Sequence, residues 1–379
     1  MNICLMSYMQ DSPGAGGGCY STRGLVEALK KLNHNITLVN SPKEIGKTNT
    51  DIVLHQNIRE LVRTQRVCER EGLPLVVTLN GFISCCVGLH IVNETKYGKP
   101  CHRCSLFGVF RCLLGDRCNQ YSPLRKTFFN ALTTPLRYHF LKKKIAALDK
   151  ADKIVCIGKS MKEILRTAGL SSEMDVIPQP IDQSIFIKPK ARIFDERIAL
   201  FVGGITWKKG AHLAAEAVSK LEKTKLILVG RLPREKMIRQ IKKTLGERAI
   251  FTGPVHHSEI KKYYYSSHVT LYPTLHLDPF GRTWAESSAC GVPVVGFNGR
   301  GGVSDHLTHE KNCLLSNYDV DEYTKQVQRL FDDEKLYKKI SKNGREYAKK
   351  NFLAESVAKR YEDVFEEVLN ERDGNKQME

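Results

Sequence analysis

The stretch from His268 to Phe297, HVTLYPTLHLDPFGRTWAESSACGVPVVGF, constrains the fold more than any other part of the chain. It reads as strand, loop, helix and strand. His268 to Tyr272 is a short β-branched and aromatic run, and Pro273 to Pro279 is a loop with two prolines. Phe280 to Cys290 suits a helix that Gly291 ends as a C-cap, ahead of the apolar strand Val292 to Phe297. In a parallel α/β sheet the carboxyl end of a strand and the start of the next helix form an anion pocket. Unpaired N–H groups and the helix dipole both point there. Asp278 in the loop and Glu286 on the helix flank that pocket, with seven residues between them.

Gly281 lets a backbone approach a ligand closely, and Glu286 stands between one and two helical turns beyond it. One carboxylate can therefore accept hydrogen bonds from one polyol while the other reaches a second polyol across a bound diphosphate. A nucleotide sugar has that layout: ribose diol, diphosphate, hexose. On spacing alone, a capping Asp278 and a solvated Glu286 stay equally open.

The run DPFGRTWAESSACGVPVVGF, followed by Gly301-Gly302, resembles the signature of the retaining GT-B glycosyltransferases of the large family-four type, the glycosyl transferases group 1. That signature is E-x7-E around F-G, then A-x-G-x-P-V-V and a Gly-Gly turn; Asp278 stands where the family's first Glu does. The resemblance implies an α/β GT-B fold, two Rossmann-like doubly wound parallel-sheet domains facing a cleft. It also implies transfer of a sugar from a nucleotide-diphosphate sugar to an acceptor hydroxyl, the acceptor being a glycan or a lipid-linked molecule. Asp278 would contact the donor sugar and Glu286 the ribose. The diphosphate would meet the chain at Phe280, Gly281, Arg282 and Thr283, with no catalytic metal required.

The chain's 379 residues are enough for two domains, each with its own core. Strand-like runs at Asn2 to Ser7, Ile36 to Asn40, Asp51 to His55, Leu75 to Leu79 and Lys153 to Ile157 alternate with helical stretches, the βαβ signal. We expect an acceptor-side domain over residues 1–190, a nucleotide-sugar domain over 197–350, and a C-terminal helix over 351–379 that crosses back to the first domain. The first strand leads to a Gly-rich loop and a helix from Cys19 to Leu32. In the resembled family this loop borders donor and acceptor, which places Gly16, Gly17 and Gly18 there, Gly17 and Gly18 towards the donor.

Two family motifs are altered. The family has a histidine in a T-x-H turn after the fourth strand, where this chain has Thr78-Leu79-Asn80-Gly81. Asn80 can hydrogen-bond an acceptor hydroxyl but cannot relay a proton. His55, at the end of the preceding strand, is a second acceptor-side candidate, with a core role as the alternative. The family's G-R-L-x-x-x-K-G turn grips the diphosphate with Arg and Lys. Here it reads Gly203-Gly204-Ile205-Thr206-Trp207-Lys208-Lys209-Gly210, so Lys209 keeps its place and Gly204 replaces the Arg. Arg282 and Arg231 are the candidate replacement cations. Charge stabilisation of the departing diphosphate would fall to Lys209, with Asp278 and Glu286 holding the donor.

Cys85 to Cys118 interrupts the alternation, and the chain carries 12 cysteines. Cys101-His102-Arg103-Cys104 is a C-x2-C turn, and Cys86 and Cys112, with Cys118 as substitute, can complete four thiolates. Structural zinc and free or redox thiols are the two readings of this insertion. The net charge of +18 suits an anionic membrane surface or a lysine-rich solvated exterior, and no nucleic-acid motif accompanies it. Leu124 to Leu148 is a basic stretch with interleaved aromatics, broken into two helices at Pro135, that fits the first of these, with a packed amphipathic helix bearing a solvated basic face as the alternative. No apolar run approaches the roughly 18 residues of a membrane span. The start, MNICLMSYMQD, lacks the basic region of a signal peptide. The expectation is a cytoplasmic protein, peripheral on the inner face of the membrane. Because Gly204, Asn80 and Asp278 depart from the family, a catalytically impaired GT-B scaffold that binds a sugar nucleotide or a partner is the alternative.

Overall fold

The structure, a computed structural model, describes residues 1–7, 17–47, 49–56, 59–81, 134–167, 169–186, 197–232 and 235–378. They fall into two units. One combines the chain up to Pro180 with Ala354 onward, and the other runs from Ile181 to Leu353.

The first unit contains β1 (Asn2–Met6), α1 (Gly17–Lys31), β2 (Asn35–Val39), β3 (Ile52–Gln56), α2 (Leu61–Glu71) and β4 (Leu75–Leu79), then α3 (Thr134–Asp149), β5 (Lys153–Cys156), α4 (Lys159–Thr167) and β6 (Met174–Val176). Its six strands lie in the order β2-β1-β3-β4-β5-β6, and every pairing is parallel. Strands covered on both faces need apolar residues at every position rather than at alternate ones, and all five residues of both β3 and β4 are buried.

The second unit contains β7 (Arg197–Val202), α5 (Ala211–Ser219), β8 (Thr224–Val229), α6 (Glu235–Leu245), β9 (Ala249–Gly253), α7 (Ile260–Ser266) and β10 (Val269–Tyr272), then α8 (Arg282–Ala289), β11 (Val294–Phe297), α9 (Val303–His306), β12 (Leu314–Ser316), α10 (Val320–Asp332) and α11 (Glu334–Phe352). Its strand order is β12-β11-β10-β7-β8-β9, again all parallel. The chain winds outward from β7 in one direction and then returns to β10 on its other side. That reversal opens a crevice beyond the carboxyl ends of β7 and β10, the position where open α/β sheets bind ligands.

The last helix, α12 (Ala354–Met378), packs in the first unit. Val357, Ala358, Tyr361, Val364, Phe365 and Val368 recur at helical spacing and are buried with Leu5, Leu25 and Leu29. Polar contacts flank this stripe. Lys153 Nζ meets Glu367 at 2.7 Å, Arg372 Nε meets Asp152 at 2.7 Å, and Tyr361 Oη shares a hydrogen bond of 3.0 Å with Thr78 Oγ1. Apolar burial carries most of the docking, because half-exposed ion pairs contribute little.

One sequence expectation is corrected. Gly17 and Gly18 form the first turn of α1 rather than the end of a loop, and the Gly18 carbonyl accepts from Thr22 Oγ1 at 3.0 Å. A glycine is tolerated there because the first-turn N–H groups have no intrahelical partner to lose. The basic stretch contributes α3, which starts at Thr134 with Pro135 in its first turn, a position that suits a residue lacking N–H. Gly16, Cys86, Cys101, Cys104, Cys112 and Cys118 lie outside the described residues. No described helix is long and apolar enough to cross a membrane.

Candidate active site

Two loops meet at the reversal point of the second sheet, one after β7 and one after β10. The Leu275 amide donates to the Lys208 carbonyl at 2.8 Å, and His276 Nδ1 lies 3.2 Å from the same oxygen. Gly210 makes the approach possible: at φ +74° its missing Cβ would sit 1.8 Å from the Pro273 carbonyl oxygen. Gly281 opens α8 in the left-handed conformation, where a Cβ would strike the Tyr272 hydroxyl at 2.1 Å. Both glycines are fixed by backbone proximity.

This packing brings Lys209 and Asp278 together. Lys209 Nζ is 2.5 Å from Asp278 Oδ2, and the Tyr272 hydroxyl donates to the same oxygen. His276 Nε2 lies 4.0 Å from it. Burial alone would raise the Asp278 carboxyl pKa. The Lys209 ammonium, His276 and the two hydrogen bonds outweigh burial and hold it well below the usual carboxylate range. Asp278 is only 6 % exposed, yet it is ionised. The Lys209 side chain keeps 34 % of its surface open, and an ammonium has three donors, so one pairs with Asp278 and two remain available to a ligand.

One turn into α8, Glu286 is 3 % exposed. Its Oε1 accepts from His257 Nε2 at 3.0 Å and from Arg282 Nη2 at 3.1 Å, and its Oε2 accepts from Tyr264 Oη at 3.1 Å. Burial raises this carboxyl as well, but Arg282, His257 and Tyr264 together bring it below its ordinary value. The first-turn amides of α8 lie between these two clusters, in the sequence Gly281-Arg282-Thr283.

Other candidates fall elsewhere. Phe280 is a core residue: its ring is enclosed by Trp284, His306 and Phe352 at centroid distances of 5.3, 5.3 and 5.4 Å. An aromatic ring gains more from that desolvation than from facing an anion, so its ring is not a donor contact. Arg231 is exposed beyond β8. Gly203 holds φ +130° beneath Gly230, while a Cβ at Gly204 would meet only Thr206 at 3.7 Å. The backbone at Gly204 therefore does not exclude an arginine.

In the first unit His55 is 0 % exposed, and burial lowers its pKa to about 4, partly offset by the Arg59 backbone. It is a neutral core group rather than an acceptor-side one. Asn80 sits at the carboxyl end of β4, donating to Gln56 at 3.0 Å and accepting from Gln179 at 3.1 Å. The sequence reading missed Gln56, Gln179, Tyr272, His257 and Tyr264. A hydroxyl-bearing aromatic at the end of a strand was the available clue to Tyr272.

Solved structures share this arrangement of two sheets. Sucrose-phosphate synthase from Thermosynechococcus elongatus superposes with a TM-score of 0.69 at 19% identity, covering 97% of this chain and 99% of that one. HepE from Anabaena, in complex with UDP, superposes with a TM-score of 0.70 at 14% identity, covering 97% and 100%. The fold is GT-B. In sequence, the capsular polysaccharide biosynthesis glycosyltransferase CapM of Staphylococcus aureus is 25% identical over 381 residues, 93% of this chain and 95% of that protein. Residues 183–347 match the family model of glycosyl transferases group 1, and the relatives that the chain resembles over nearly its whole length are glycosyltransferases.

Proposed function

We propose that the protein moves a sugar, with retention of configuration, from a nucleotide-diphosphate sugar to a hydroxyl of a glycan or lipid-linked acceptor. The observation that carries this reading is the pair of ionised, buried carboxylates flanking the start of α8, with Lys209 tied to one of them. Glu286 would hold the ribose, Asp278 a hydroxyl of the donor sugar, and Lys209 with the first amides of α8 the diphosphate. That HepE was solved with UDP and that CapM acts in capsular polysaccharide biosynthesis support the donor and acceptor classes.

In the transfer, the bond from the anomeric carbon to the diphosphate oxygen breaks as the acceptor oxygen bonds to the same face. The acceptor proton passes to the departing diphosphate. Charge grows on that diphosphate, and Lys209 and the helix start are fixed in place before it does so. Preorganised donors of this kind are each worth roughly 10²–10³ in rate. Asp278, hydrogen-bonded by two donors and held ionised, suits accepting a hydrogen bond from a sugar hydroxyl better than attacking carbon.

Incubation with UDP-glucose, UDP-N-acetylglucosamine and GDP-mannose tests the reading. Slow release of nucleoside diphosphate from at least one, without added acceptor, is expected. No release and no binding of UDP or GDP would contradict the donor assignment.

A further inference from the structure

The two oxygens of Asp278 are not equivalent. Oδ2 takes both the Lys209 ammonium and the Tyr272 hydroxyl, whereas the described residues give Oδ1 no hydrogen bond. Tyr272 is itself tightly fixed. It ends β10, its ring is buried, and its backbone N–H donates to Tyr323 Oη at 3.0 Å. Its hydroxyl lies directly beneath Gly281, at the spot a Cβ there would occupy. Lys209 Nζ stands 6.0 Å from the centre of its ring. One hydroxyl thus touches the acid and the turn that opens α8, and its ring lies under the lysine.

We propose that Tyr272 is a positioning residue for the transfer: by holding Oδ2 beside Lys209, its hydroxyl leaves Oδ1 as the oxygen that accepts from a donor-sugar hydroxyl. The proposal rests on the donor reading above. It also accounts for the shorter acid at this position. With Tyr272 and Lys209 both in contact with Oδ2, an extra methylene at residue 278 would drive the carboxylate into one of them.

Burial of the tyrosine and the adjacent Asp278 charge keep its phenol protonated far above neutral pH, so it acts only as a donor. The charged and titratable groups facing Asp278 are Lys209 from the loop after β7, and Tyr272 and His276 from β10 and its loop. The loop after β11 contributes the Arg300 carbonyl, which accepts from the Asp278 amide at 3.0 Å, while the Arg300 guanidinium lies 3.9 Å over Tyr318.

The test is a double-mutant cycle of Tyr272→Phe and Asp278→Asn in the full chain, using the nucleotide sugar turned over fastest in the panel. Loss of one hydrogen bond to a charged group predicts that Tyr272→Phe lowers kcat roughly tenfold. UDP or GDP affinity, which involves no transferred sugar, should stay within about twofold. Adding Tyr272→Phe to Asp278→Asn should cost nothing further. Additive losses, or diphosphate affinity falling in step with kcat, would overturn the proposal. Failure of the donor reading itself shows earlier, as a wild-type protein that neither binds UDP or GDP nor releases either.

Discussion

The strand ends of the two units carry opposite chemistry. In the second unit two carboxylates are buried and kept ionised, Asp278 by Lys209, His276 and Tyr272 and Glu286 by Arg282, His257 and Tyr264. In the first unit the corresponding ends hold a chain of neutral amides, Gln179 to Asn80 to Gln56, beside a neutral histidine. A buried charge is costly unless it is paired. The second unit meets that cost with donors from several elements, which leaves cationic and anionic groups fixed for a charged ligand. Among the described residues these strand ends of the first unit offer amide hydrogen bonds, which suit uncharged hydroxyls. The contrast between the units is one of charge, and it can be broken from either side.

The largest effect is expected at Glu286. Replacing it with Gln keeps the shape but removes the charge that Arg282 and His257 face. If Glu286 holds the ribose by charge-assisted hydrogen bonds of about 1.5–3 kcal/mol, nucleoside diphosphate affinity should drop by roughly one to two decades. The wild-type preference for a ribonucleotide over its 2′-deoxy analogue should shrink with it, as calorimetric titration of both ligands would show. An unchanged affinity would place the ribose elsewhere.

A smaller effect sharpens the other side. His55 has a folded pKa of about 4, below the 6.5 of an exposed histidine. The unfolded chain therefore binds the proton more readily. Stability is complete above pH 6.5 and falls as pH drops from there towards 4. His55→Leu should flatten that slope in the first unit. The decrease in Tm between pH 7 and pH 5 should be smaller by about 2–4 °C in scanning calorimetry. An identical slope in the variant would mean that His55 is not held neutral by burial.

The second unit was the more legible in sequence for a physical reason. Its site lies on one continuous strand, loop, helix and strand, so the distance from Asp278 to Glu286 is set by loop length and helical rise. Gly291 and Gly281 also mark the helix ends chemically. Lys209 was legible from its glycine-flanked turn.

The groups that hold the acids were not legible. His257 and Tyr264 reach Glu286 from elements 29 and 22 residues earlier, and no local period marks that approach. Phe280 was read with its motif as a ligand contact, although only three-dimensional packing shows that its ring belongs to the aromatic core. His55 was ambiguous because β3 is buried on both faces. Period-two alternation, which would have distinguished the faces, is absent from such a strand. The amides of Gln56 and Gln179 come from separate strand ends, and nothing local in the sequence joins them to Asn80.

Lys209 must keep spare donors for a diphosphate while it pairs with Asp278. Calorimetric titration of wild type and Lys209→Met with the preferred nucleoside diphosphate, and with the matching nucleoside, tests this directly. The predicted result is a loss of roughly one to two decades in diphosphate affinity, from removing a charged donor, with nucleoside affinity unchanged. Equal diphosphate affinity in the two proteins would contradict it.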